Sequence, residues 1–191
     1  MKKNKIAIKK DASKLISENR FWEIIEKSDK GRNLVDVLSR LAVDEIFGYR
    51  YWWNYFVRLS YTSSLWAVAA VILNGCSDDG FDYFRFWLIA RGQTVFYNAL
   101  KDPDSLCDEF DYLLNPEQRE YPEKEQYDYA VYDVLKRLNI DYDKALSQYN
   151  LRDSPYPKIE LDWDGDSKEC MAQLCPRTVA KWWQHEYFYD L

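Results

Sequence analysis

The chain has 191 residues, of which 47% are hydrophobic, enough for one buried core and short of the length at which a second becomes the default. Its formal net charge of −6 argues against binding a phosphate backbone, which needs clustered cations, and favours a basic or neutral protein as partner. Cys76, Cys107, Cys170 and Cys175 lack zinc-knuckle spacing and His185 is the single histidine, so no metal or other cofactor is expected.

No run approaches the ~18 apolar residues of a membrane span, and the basic start has too short an apolar centre for a signal peptide. The expectation is a cytoplasmic protein with reduced thiols, bound to neither membrane nor nucleic acid. Residues 1–17 read as a mobile lead, followed by a single helical domain over 18–191. Ser17 caps a short helix through Ile25, and Asn33 is placed to cap the next, with Leu34, Val37, Leu38 and Leu41 at helical spacing. A longer helix over 44–59 turns Ile46, Phe47, Trp53, Phe56 and Val57 inward and leaves Arg50, Asn54 and Arg58 as a solvated stripe. Leu65 to Leu73 is apolar all round, which predicts a central helix.

The next stretch is a helix written with both ends. Ser77 or Asp79 can cap it, acidic Asp78, Asp79 and Asp82 suit its positive end, and Gly92 stops it. Beyond it, a helix over 94–100 halts before Asp102-Pro103, and residues 116–122 read as a loop. Helices resume over 123–138 and 141–149. Pro155 and Pro157 then leave one strand-like piece, 158–163, and a last helical region over 166–183 restarts at Pro176. The fold class is all-α, a single-domain bundle of about eight helices.

Phe21-Trp22, Leu65-Trp66-Ala67, the run Gly75-Cys76-Ser77-Asp78-Asp79-Gly80-Phe81-Asp82-Tyr83-Phe84 and Asp102 to Leu106 together resemble the bacterial domain-of-unknown-function 4240 family. The resemblance spans residues 19–110 and returns at Leu174-Cys175-Pro176-Arg177. What it implies is a small, mainly helical bacterial domain with no established catalytic residues to carry over.

Read on their own chemistry, the residues name no catalytic set. Asp78, Asp79 and Asp82 suit metal-assisted chemistry, but first-turn carboxylates are stabilising by ~0.3–1 kcal/mol each without any metal. Asp82 and Arg85 stand three apart on an apolar helix and are placed to pair. Residues 162–169 set their glycine and terminal glutamate wrongly for a calcium loop.

Aromatics make up 17% of the chain, with 16 Tyr, 9 Phe and 8 Trp, which fits either a thick aromatic core or a recognition face. The expected function is a non-enzymatic bacterial interaction protein, in particular an immunity protein that neutralises a cognate, basic secreted toxin. Its partner surface is placed on the acidic, Tyr-rich region around Glu123, Glu125, Asp128, Tyr121 and Tyr127. The alternative is an enzyme or small-ligand-binding domain with its site at the Ser77–Asp79 helix entrance, lined also by Asp82 and Arg85.

Overall fold

The computed structural model describes residues 9–115, 117, 120–151 and 155–185. Among these residues the chain is all-α, with ten α-helices and one two-stranded parallel sheet. Two compact units emerge, Met1–Phe56 with Gln126–Pro155 and Val57–Glu125 with Tyr156–Leu191. Each is assembled from two separated stretches of chain, an organisation absent from a reading of 18–191 as one domain.

In the first unit, β1 (Lys10–Asp11) pairs with β2 (Tyr149–Asn150), and α1 (Glu18–Lys27), α2 (Leu34–Leu38) and α3 (Val43–Leu59, to Phe56) are followed by α7 (Ala130–Arg137) and α8 (Tyr142–Leu146). Ser17 caps α1 as its sequence implies, accepting the Arg20 N–H at 3.1 Å, whereas Asn33 makes no side-chain cap on α2. The core is aromatic. Phe21 stacks on Tyr49 at 5.1 Å, Trp22 lies 4.6 Å from Phe56, and Phe47 stacks on Tyr149 at 4.0 Å.

Part of the lead expected to be mobile is held in this core. Residues 1–8 lie outside the described residues, but Ala12 and Ile16 are buried, and the Trp52 indole donates to the Ile16 carbonyl at 3.1 Å. Close approach explains the anchoring, since a Cβ on Gly48 would stand 3.0 Å from the Ile16 side chain. The strand-like reading of 158–163 is also corrected. That stretch has no regular structure, and the only strands among the described residues are the two at Lys10 and Tyr149. Pairing partners, not local composition, decide which segment becomes a strand.

In the second unit, α4 (Ser63–Ile72), α5 (Asp78–Ala90) and α6 (Gln93–Lys101) precede two 3-10 turns, at Pro103–Asp108 and Asp111–Leu114, and α9 (Lys168–Leu174) and α10 (Pro176–Trp182) close the chain. α4 is buried on nearly every face, as its uniform apolarity implies. In α5, Phe81, Phe84 and the whole run from Arg85 to Ala90 are buried. Trp66 stacks on Phe81 at 4.6 Å and Trp87 on Phe110 at 5.0 Å, while the Trp182 indole donates to the Cys107 carbonyl at 2.7 Å. Gly92, at φ +96, lets the chain turn from α5 into α6 in a conformation closed to L side chains.

Phe84 has no exposed surface, so Phe84→Ala should cost about 3–5 kcal/mol, a large part of the ~5–15 kcal/mol that holds a domain together. Urea denaturation checks this, and an unchanged midpoint would contradict the burial.

Candidate functional site

The entrance of α5 is built as a helix cap. The Ser77 hydroxyl accepts the Gly80 N–H at 3.1 Å, and Asp78 and Asp79 are exposed in the first turn, where the helix dipole favours them. Gly80 is buried, and a Cβ there would stand 3.0 Å from a Glu123 carboxylate oxygen. Glu123 therefore lies half-buried against the entrance, and burial pushes its carboxyl above the ordinary range.

One turn further in, Asp82 pairs with Arg85, whose side chain has no exposed surface. The guanidinium also donates to the carbonyls of Val57 and Phe81, the latter at 3.3 Å. Three rings enclose it, with centroids at 4.8 Å for Tyr61 and 4.9 Å for both Phe81 and Tyr156. Arg85 is thus engaged by one carboxylate, two carbonyls and three rings of the protein itself. Of the ligand-site residues read from sequence, the structure brings Asp82 and Arg85 into contact and leaves Ser77 as a cap and Asp78 and Asp79 at the surface.

A second charged node was not foreseen. Asp104 is 5% exposed and accepts four hydrogen bonds: from the Arg177 N–H at 2.9 Å, Arg177 Nε at 3.1 Å, and the Thr178 N–H and hydroxyl, both at 2.8 Å. It thereby caps α10, whose own Cys175 makes no side-chain cap. Burial alone would raise the Asp104 pKa, but the bonds from Thr178 and Arg177 outweigh it and hold the carboxyl below its ordinary range. The two stretches that meet here, Asp102–Leu106 and Pro176–Arg177, are among those that carry the family resemblance.

Residues 16–137 match the family described as Protein of unknown function (DUF4240). The chain belongs to that family. No curated protein and no solved structure matches the chain. The DUF4240 match covers α1 through α7 and includes the α5 entrance, the Arg85 box and Asp104. No single described helix is long and apolar enough to cross a membrane, and no described group of three or more His, Cys, Asp or Glu side chains is placed to hold a metal ion.

The residues read from sequence as a partner surface divide between the two units. Glu123, Glu125 and Tyr121 belong to the second unit, and Tyr127 and Asp128 to the first. Tyr127 is a correction: it is buried, its hydroxyl donates to the Lys30 carbonyl at 3.0 Å, and its ring sits where a Cβ on Gly31 would be 2.5 Å away. Gly31 can accept the ring because it has no Cβ and holds φ +86. Its burial could have been read from the spacing, since Tyr127, Val131, Val134 and Leu135 follow a helical apolar stripe. Asp128 is likewise engaged. It accepts Arg50 Nη1 at 2.8 Å and the Trp53 indole at 2.9 Å, which also makes Arg50 a structural residue and not part of a solvated stripe.

The tyrosines that do face outward flank these two. A recess of about 210 Å³ in the first unit has the Arg50–Asp128 pair among its walls, together with Tyr129, Tyr132 and Tyr142. Tyr129 is 53% and Tyr132 48% exposed, and Tyr132 meets Tyr142 edge-on at 5.7 Å. Tyr132 and Tyr142 also line a second recess, with Asp141, Asp143 and Lys136. Tyr142 escaped notice because it lies on the next helix.

Removing Asp82 would leave a buried cation without its counter-charge, so Asp82→Ala should cost about 3–5 kcal/mol, whereas Arg85→Met, which removes the charge and keeps the bulk, should cost less. Paired denaturation curves test the order, and a greater loss from Arg85→Met would contradict it. Asp104→Asn should cost about 1.5–3 kcal/mol near neutral pH, because hydrogen bonds to a charged acceptor are lost. A carboxylate with a depressed folded pKa stabilises above its unfolded value and loses that contribution as the pH falls through the folded one. The advantage of the native chain over Asp104→Asn should therefore shrink below the ordinary value of 3.8, as melting temperatures across an acid series would show.

Proposed function

We propose that this DUF4240 chain is a non-enzymatic interaction protein that binds a basic protein partner, in the manner of a bacterial immunity protein holding a cognate antibacterial toxin. The observation that carries this reading is the tyrosine recess of the first unit. Half-exposed tyrosines that line one recess with an ion pair supply large amphipathic contact area at low entropic cost, which is the chemistry of interface anchors. Exposed Asp133, Asp141 and Asp143 lie beside these tyrosines in sequence, and Asp141 and Asp143 line the neighbouring recess. With a net charge of −6, the chain would steer a cationic partner toward such a face.

The partner surface is accordingly moved from Tyr127 and Asp128 to Tyr129, Tyr132 and Tyr142. Reversing Asp128 would break the contacts to Arg50 and Trp53 and confuse folding with binding.

The test first asks whether a basic toxin domain is encoded beside the gene, and its absence would count against the reading; where it is present, that domain is used with the full chain. Co-expression should protect cells. Tyr132→Ala should weaken the purified complex by about tenfold or more with little change in melting temperature. Asp133→Lys combined with Asp143→Lys should slow association at low salt and flatten its salt dependence. Killing that proceeds despite the chain, or a Tyr132→Ala variant that binds at the original affinity, would overturn the reading.

A further inference from the structure

The second unit contains a cavity of about 270 Å³ at the C-terminal end of α4. Val71 and Cys76 form one side, Trp163 and Asp166 come from the loop ahead of α9, and Trp183 and Gln184 follow α10. Among the described residues, neither lysine nor arginine lines it. The one charged side chain among the described residues of its wall is the Asp166 carboxylate, because burial, reinforced by the nearby Glu123, pushes the Cys76 thiol up to about 12 and keeps it neutral.

The backbone adds potential of the same sign. α4 ends at Ile72, so the residues it contributes belong to its last turn, the negative end of the helix dipole, with the Ala70 carbonyl taken up by the Gly75 N–H at 2.8 Å and that of Val71 by the Asn74 N–H at 3.4 Å. α10 ends at Trp182, directly before the two residues it contributes. Two indoles complete the walls, and an indole face is the best aromatic surface for a cation. Trp163 is held in place beforehand: its N–H donates to Ser63 Oγ at 2.9 Å, and its ring lies 3.3 Å from where a Cβ on Gly165 would project. Gln184 holds a left-handed φ of +46, a conformation that costs a non-glycine residue energy and tends to gather at ligand clamps.

We propose that this cavity binds an organic cation, an ammonium or guanidinium group on a short alkyl stem. The walls supply what such a group needs, two indoles for its apolar body and, at the negative ends of two helices, the Asp166 carboxylate for its charge. An anion would meet the same negative potential with no basic side chain to offset it. The volume falls just below the ~300–1,000 Å³ of drug-sized sites, so it suits a single side-chain-sized group. The source is either a free amine or guanidine, or the Lys or Arg side chain of a protein. This inference does not rest on the tyrosine recess, which belongs to the other unit, and either can fail alone.

Isothermal titration of the full chain with butylguanidine, and with its neutral isostere butylurea, tests the charge requirement. Saturable one-to-one binding of butylguanidine is expected, with butylurea weaker by about tenfold or more. Asp166→Asn and Trp183→Leu should each weaken butylguanidine by about tenfold. Asp166→Asn preserves the bond from the Asp166 N–H to the Asp164 carboxylate at 3.0 Å, so it remains an informative variant even if Trp183→Leu folds poorly. A blocked Gly-Arg-Gly peptide identifies the source: equal affinity indicates a protein-borne side chain, and exclusion of the peptide indicates a free cation. Absence of saturable butylguanidine binding, equal binding of butylurea, or an Asp166→Asn variant with unchanged affinity would overturn the proposal.

Discussion

A guanidinium carries five donors and a fixed charge, and an apolar interior tolerates it only if both are met. At Arg85 that demand organises the second unit. Asp82 must come one turn earlier on α5, the last turn of α3 must offer the Val57 carbonyl, and Tyr61 and Tyr156 must arrive from either side of the chain to cover the faces. One cation thereby fixes the register of three stretches far apart in sequence. Apolar packing alone would leave that register loosely specified, since hydrophobic contact is non-directional.

Asp104 is the complementary case, a buried anion that joins the turn after α6 to the start of α10. Together the two nodes explain why an acidic, arginine-bearing sequence signature can be structural. Its charged groups satisfy one another and helix ends, and the exposed carboxylates at the α5 entrance sit where the helix dipole favours them. The large side chains that reach the surface are in good part aromatic, the tyrosines near α7 and the tryptophans around the α4 cavity among them.

What the sequence discloses follows the range of the interaction. α1, α4, α5 and the restart at Pro176 were legible because caps, apolar period and proline act within a few residues. The Asp82–Arg85 pair was legible for the same reason, being three residues apart. Arg50 with Asp128, 78 residues apart, and Asp104 with Thr178, 74 apart, left no local trace and were missed. The same limit hid the strand at Lys10, whose partner lies at Tyr149, and misplaced a strand at 158–163. Tyr127 and Tyr132 look alike as letters in an acidic run, and only the stripe of neighbouring apolar residues separates the inward ring from the outward one.

The interleaving of the two units also dictates an order of events on the ribosome. Tyr149 closes the first unit by stacking on Phe47 and donating to Asp44, a residue 105 positions earlier. At a translation speed of about 5–20 residues per second, the N-terminal helices emerge on the order of ten seconds before the strand that completes them. During that interval the face of Phe47 on which Tyr149 will stack is uncovered, open to solvent or to a holdase chaperone. Synthesis of the whole second-unit segment, residues 57–125, falls within the same gap. A nascent chain of this kind must therefore keep one half-built core waiting while it starts another.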